Sequence, residues 1–343
     1  MGTGHAKGGR VRILAVQLKR IGDLVLTTPA LAALRKALPE AHITLLAADD
    51  GAGLLGGMPF VDAHKIFKRA GSNPGMWAWM FRSHFDVCLD FTGTDRSALV
   101  SALSTAKKRA TFSSIRKSSV RSWFYNETVD SAVRDFHTID HYAHLLRAMQ
   151  LDVAPSATPV LEIPEWADRE AAALLAAEGV SENFVVLHPG SARLEKCWPA
   201  ERWFTVAEHC RKTWGYDVVL TGGRDPAEQE ELRKVQAAGA AAVDLSGRCG
   251  LLAFAALLRR SRLVVSVDSA AMHLAASGQV PQVALFGPTN PFHWRPRHAR
   301  AVVVTASTDA VALDFQPKAF GALMDQLSTP TILAAMEEAT KAE

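Results

Sequence analysis

Several kinds of signal are missing from this 343-residue chain, and each absence closes off a class of function. No apolar run approaches the roughly 20 residues that a membrane-spanning helix needs. There are only four cysteines, Cys88, Cys197, Cys210 and Cys249, scattered without metal-type spacing, so buried thiols in a reducing compartment are expected and not a disulfide frame. No GxxxxGK[ST] phosphate loop, HExxH or paired CxxC occurs, and no metal is expected. The glycines of GTGHAKGG precede the first strand instead of following it, which rules them out as a dinucleotide fingerprint, and no cofactor is expected. The opening MGTGHAKGGRVR is small, polar and basic, with no apolar core behind it; a signal peptide is not expected, and the expected location is cytoplasmic. Neither a short-period repeat nor a low-complexity tract is present.

What is present describes an ordinary globular protein: 48% hydrophobic and 21% charged residues, at a length that suggests two domains. The net charge of +3 hides an asymmetry. Residues 1–165 carry 20 Lys and Arg against 15 Asp and Glu, while the remainder carries 18 against 20. Between Arg96 and Asn126 stand seven basic residues and no acidic one. A solvated helix face mixes both signs, so this stretch points to an anionic partner.

The first strand is VRILAVQL (11–18), nearly continuous in apolar and β-branched residues, as a strand covered on both faces would be. A helix follows over LTTPALAALRKALP, with Thr28 and Pro29 suited to its N-cap and first position, and then the strand HITLLAA. Strand–helix–strand order predicts a parallel sheet. FDVCLDF (85–91) is a further strand, and residues 140–149 form an amphipathic helix. APSATPVLEIPEW (154–166), with three prolines and little periodicity, reads as a linker. Beyond it strands FVVLHPG, YDVVLTGG, AAVDLSG, RLVVSVDS and PQVALFGP alternate with helices beginning near Ala200, Pro226, Leu251 and Ser269, and TILAAMEEATKAE makes a last helix. The expectation is an α/β protein of two doubly wound, Rossmann-like parallel-sheet domains facing across a cleft, residues 1–160 and 161–343, with the last helix free to pack back on the first domain.

In such sheets ligands bind where strands end and helices begin. SVDSAAMHLAASG (266–278) opens a helix at Asp268–Ser269, whose unpaired N–H groups suit a phosphate or diphosphate. Ser269 offers a hydroxyl; Asp268 is either an N-cap or an acceptor for sugar hydroxyls; His273 lies one turn further on the same face, as a ligand contact or a core histidine. HPGSARLEKCWP (188–199) brings Ser191 and Lys196 towards an anion, and a lysine that meets a departing diphosphate stabilises the transition state more than the ground state. The glycine-bearing loops LTGGRDPAEQEE (220–231) and LSGRCG (245–250) can wrap a nucleoside, with Asp225 or Glu228 reaching ribose or base, although acids at a helix start are equally ordinary. Asp23, after Gly22 at the end of the first strand, is either a structural cap or a carboxylate placed to remove a proton from an incoming hydroxyl.

VRILAVQLKRIGDLVLTTPALAALRKALPEAHITLL and FDVCLDFTGTDRSALVSALSTAKKRA resemble the two amino-terminal signatures of the family 9 glycosyltransferases, the ADP-heptose:lipopolysaccharide heptosyltransferases. VVLHPGSARLEKCWPAERW and VVSVDSAAMHLAASGQVPQVALFGPTNPFHWRPR resemble their donor-binding half, and KCW, VDSA and HWRP look most like the heptosyltransferase III branch. The resemblance implies a GT-B fold and inverting, metal-independent transfer, with an acceptor-binding first domain and a nucleotide-sugar-binding second domain. Asp23 matches the general base and Lys196 the diphosphate-neutralising lysine. Gly22, Ser191, Gly222, Asp225, Asp268, Ser269, Ala270 and His273 fall at donor-binding positions, with Asp225 preferred to Glu228 as the nucleotide-contacting acid. Ala270 stands where most relatives carry glycine, and its methyl leaves less room. The implied donor is ADP-heptose. The implied acceptor is a lipid-linked anionic saccharide, lipid A with its inner core, met by Arg96, Lys107, Lys108 and Arg109. Peripheral contact with the inner membrane is expected and nucleic acid is not. Another nucleoside-diphosphate sugar as donor, or a non-catalytic sugar-nucleotide binder, are the alternatives.

Overall fold

The computed structural model describes residues 10–306 and 322–341. The chain forms two compact units, one of residues 1–133 and 139–156, the other of residues 134–138 and 157–343.

In the first unit the strands are β1 (Arg12–Gln17), β2 (His42–Ala48), β3 (Ala63–Phe67), β4 (Val87–Asp90), β5 (Lys108–Phe112) and β6 (Glu127–Val129). They form one sheet in the order β3-β2-β1-β4-β5-β6, every neighbouring pair parallel. β1 sits centrally with Ile13, Leu14, Ala15 and Val16 fully buried, which is why it reads as a continuous apolar run.

The second unit has β7 (Phe184–His188), β8 (Asp217–Leu220), β9 (Val243–Asp244), β10 (Leu263–Val267), β11 (Gln282–Phe286) and β12 (Ala301–Thr305), in the order β12-β11-β10-β7-β8-β9, again all parallel. Counted from its own first strand, this is the same order as in the first unit. Each sheet therefore has a point where the winding reverses, between β1 and β4 in one and β7 and β10 in the other, and the loops leaving those strands diverge to leave room for a ligand.

Helices start at Ala200, Pro226, Leu251 and Ala270, the last capped by Ser269, as the alternation predicts. The last helix, Thr329–Lys341, buries Ile332, Ala335, Met336 and Ala339 in the core of the second unit. No helix or strand occurs between residues 150 and 164, and the helix Glu165–Ala177 takes the final two residues of the expected linker.

The helix after β1 departs from expectation. It runs Ile21–Ala37, starting seven residues before Thr28, so Pro29 lies inside it. A proline there has no N–H for the carbonyl four residues back. That carbonyl belongs to Val25, and the Thr28 hydroxyl donates to it at 2.6 Å. Among the described residues no helix is long and apolar enough to cross a membrane.

Candidate active site

In the first unit Asp23 lies in the first turn of the helix Ile21–Ala37. The N-cap is Arg20, whose side chain makes no capping bond, so Asp23 is not the cap. Its Oδ1 accepts the hydroxyl of Tyr142 at 2.6 Å. Tyr142 comes from the helix Thr138–His144, is 1% exposed, and meets Phe91 edge-on with ring centroids 5.9 Å apart. Burial first, then the charge of Asp23, pushes its hydroxyl well above the usual tyrosine range, so it stays a proton donor. Lys19 places its ammonium 3.4 Å from the same hydroxyl and 5.5 Å from the ring centre. Below, the Thr27 hydroxyl donates to the Asp23 carbonyl at 2.7 Å and accepts from Gln17 at 2.8 Å. Gln17 and Thr27 are fully buried, so a fixed polar chain ties the end of β1 to this turn.

Asp23 opens onto a cavity of about 600 Å³ whose walls carry Lys19, Arg20, Arg69 and Arg96, with Asp95 as a second acid. Arg69 is held by the Leu18 carbonyl at 3.1 Å and Asp50 at 3.4 Å, and Arg96 by the Arg69 carbonyl at 3.1 Å. Lys107, Lys108 and Arg109 are not brought together with Arg96. They stand at the amino end of β5, opposite the start of β4, whereas Arg96 follows the carboxyl end of β4. Lys108 donates to the Ala148 carbonyl at 2.7 Å, and Arg109 to the carbonyls of Phe124 and Ala106, both at 2.9 Å. Two of these three cations hold the fold together, and all three are misplaced as companions of Asp23.

In the second unit the loops leaving β7, β10 and β11 converge. Lys196 donates to Asp268 Oδ2 at 2.6 Å, and the Thr289 hydroxyl to the same oxygen at 2.7 Å. The carboxylate is nearly buried and the ammonium is 14% exposed. This bond uses one of three lysine N–H groups, leaving the head able to meet an anion. Ser191 is buried, its hydroxyl 3.5 Å from the Asp268 carbonyl. Ser269 caps the helix Ala270–Ser277 through its backbone alone; its hydroxyl is buried with no hydrogen-bond partner among the described residues. A buried hydroxyl beside the N–H groups of a helix start is a donor set that suits an anion. Ala270 is the first helical residue, and His273, one turn further on, is 5% exposed.

Asp225 is otherwise engaged. It is the N-cap of the helix Pro226–Ala237, accepting from Ala227 N at 2.9 Å and Glu228 N at 3.4 Å. Glu228 instead turns into the glycine loops, accepts Gly223 N at 2.8 Å, and lies so close to Gly190 that a methyl there would collide with it. Gly222 is likewise closed against Leu232. His188 lies 3.5 Å from Glu228 and 3.0 Å from the Thr221 hydroxyl, its pKa lowered by burial and held up only in part by that acid. Gly22 belongs to the first unit, beside Asp23, apart in the chain from every other expected donor contact. Among the described residues no group of three or more His, Cys, Asp or Glu is set to hold a metal.

Tyr142, Thr289 and Arg69 have no signal in the sequence. Each acts on a partner 119, 21 or 51 positions away, and only the strand order makes them neighbours.

The model of "Glycosyltransferase family 9 (heptosyltransferase)" matches residues 77–318. Lipopolysaccharide heptosyltransferase 3 of Escherichia coli is 26% identical over 288 residues, covering 80% of this chain and 83% of that protein. A glycosyl transferase family 9 structure from Veillonella parvula superposes with a TM-score of 0.83 at 24% identity, over 97% of this chain and 98% of that one. The E. coli ADP-heptose LPS heptosyltransferase II does so at 0.77 and 20% identity, over 96% and 99%. The two doubly wound sheets are thus the halves of a GT-B fold, and the chain belongs to glycosyltransferase family 9, as a glycosyltransferase.

Proposed function

We propose that this enzyme transfers heptose, with inversion, from ADP-heptose to a lipid-linked, anionic lipopolysaccharide inner core, and that Asp23 is the general base. The donor and acceptor classes rest on family membership and on the E. coli relatives named above. The base assignment rests on one observation: Asp23 is a carboxylate fixed by the Tyr142 hydroxyl at the edge of a cation-lined cavity. With Oδ1 held, Oδ2 takes the proton of the acceptor hydroxyl. The acceptor oxygen then attacks the anomeric carbon from the face opposite the diphosphate, and the bond from that carbon to the phosphate oxygen breaks. Negative charge collects on the departing ADP. Lys196, the hydroxyls of Ser191 and Ser269 and the N–H groups of the helix start stabilise it. Glu228, not the capping Asp225, accepts the ribose hydroxyls. Arg20, Arg69 and Arg96 meet the phosphates or acid groups of the acceptor.

The test is Asp23→Asn, which keeps shape and loses the proton-accepting charge. ADP release in the presence of ADP-heptose and acceptor should fall at least about a hundredfold, as loss of a positioned base does, with donor binding by calorimetry unchanged. Turnover within a few-fold of the parent would falsify the assignment.

A further inference from the structure

Thr289 stands in the loop that leaves β11, and its hydroxyl donates at 2.7 Å to Asp268 Oδ2, the oxygen that also takes the Lys196 ammonium at 2.6 Å. The loop is fixed on both sides of this residue. One position on, Asn290 caps the short helix Pro291–Trp294, accepting from Phe292 N at 2.9 Å. Two positions back, Gly287 lies so close to Met324 and to the Ala322 carbonyl that a side chain there would collide with them. Thr289 and Asp268 are both buried, and among the described residues no other side chain donates to this carboxylate.

A buried carboxylate with a lysine as its one partner would trap that lysine. Were the ammonium to turn to an arriving anion, the carboxylate would be left charged and unpaired, which is what makes a broken buried ion pair so unfavourable. The Thr289 hydroxyl is a neutral donor on a rigid loop, so its bond persists whatever the ammonium does. It satisfies one lone pair of Oδ2 and loosens that oxygen's hold on Lys196. We propose that Thr289 is a positioning residue that keeps Lys196 available to the donor diphosphate, its hydroxyl holding Asp268 while the ammonium turns to the anion. Such a role rests on Lys196 meeting that diphosphate, as the proposed transfer requires. It adds a residue that touches neither donor nor acceptor and acts through two others.

The experiment is calorimetric binding of ADP and of AMP to the full chain. Thr289→Val keeps the shape and removes the donor; it should weaken ADP about tenfold and leave AMP, which lacks the second phosphate, nearly unmoved. Thr289→Ala, which cannot crowd the loop, should give the same ratio, and Thr289→Ser should restore it. In a Lys196→Met background Thr289→Val should change ADP binding no further. The proposal is overturned if Thr289→Val and Thr289→Ala bind ADP like the parent, if ADP and AMP weaken by the same factor, as a merely structural threonine would cause, or if the loss persists without Lys196. Lys196→Met binding ADP like the parent would bring down the diphosphate reading of Lys196 as well; a weakened Lys196→Met beside an unaffected Thr289→Val would bring down the role of Thr289 alone.

Discussion

A single hydroxyl separates a carboxylate that merely lies in a cavity from one aimed into it. Tyr142 gives Asp23 one short hydrogen bond from a ring that is 1% exposed and wedged against Phe91, so its position does not depend on ligand. Tyr142→Phe removes that bond and keeps the packing. A hydrogen bond to a charged group contributes about 1.5–3 kcal/mol, so kcat should fall roughly ten- to a hundredfold. The KM for the donor should not move, and the melting temperature should stay close to that of the parent. A merely structural tyrosine would reverse this, lowering stability and leaving kcat in place, and steady-state kinetics beside a melting curve separate the two. At this scale the sequence was legible where a residue follows its own strand. Asp23, Ser191, Lys196, Asp268 and Ser269 all follow shortly after β1, β7 or β10, where the chain turns from strand to helix, and alternation alone locates those places. It misled where nearness in the chain was taken for nearness in space. Lys107 to Arg109 follow Arg96 closely, but the helix Asp95–Leu103 returns the chain to the other end of the sheet, a five-residue strand or about 16 Å away.

Among the elements, the first helix shows how a local rule can be right in its chemistry and wrong in its conclusion. Threonine before proline does suit a helix start, yet here the helix begins at Ile21 and passes through Pro29. The threonine hydroxyl supplies the donor the proline lacks, at 2.6 Å from the Val25 carbonyl. Thr28→Val should therefore strand a buried carbonyl and cost about 1–3 kcal/mol of stability. In a Pro29→Ala background the alanine N–H can reach Val25, and the same substitution should cost clearly less. The two changes are predicted to be non-additive in denaturant unfolding, and equal costs in both backgrounds would show that the hydroxyl does not replace the missing N–H. The strand β12 illustrates the opposite failure. Its five residues, AVVVT, follow a loop rich in proline and arginine and have no expected helix behind them, so alternation gave no reason to place a sixth strand. Its pairing with β11 is set by register along that strand, a long-range contact without a local pattern.

For the molecule as a whole, three buried histidines of the second unit stand in a form that acid should punish. Burial, reinforced by Arg297, drives the pKa of His137 down to about 2, burial with Arg300 takes His298 to about 4, and burial lowers His188. In the unfolded chain each titrates near 6.5. As pH falls below that value the unfolded state takes up protons that the folded state refuses, so stability declines from about pH 6.5 downwards, for His298 until about 4 and for His137 across the whole range to about 2. His137 alone can tilt the curve by up to about 1.4 kcal/mol per pH unit. In the first unit Asp90 works in the other direction: buried completely, its carboxyl is raised above the ordinary range and is stabilised, not strained, by protonation. Thermal melting between pH 7 and pH 5 should accordingly show a falling midpoint. His137 bonds the Arg295 carbonyl at 2.9 Å through Nε2, a donor that glutamine can imitate, so His137→Gln should flatten the fall while leaving the neutral-pH midpoint nearly in place. A midpoint independent of pH in the parent, or the same slope in the variant, would show that these rings accept protons without opening the fold.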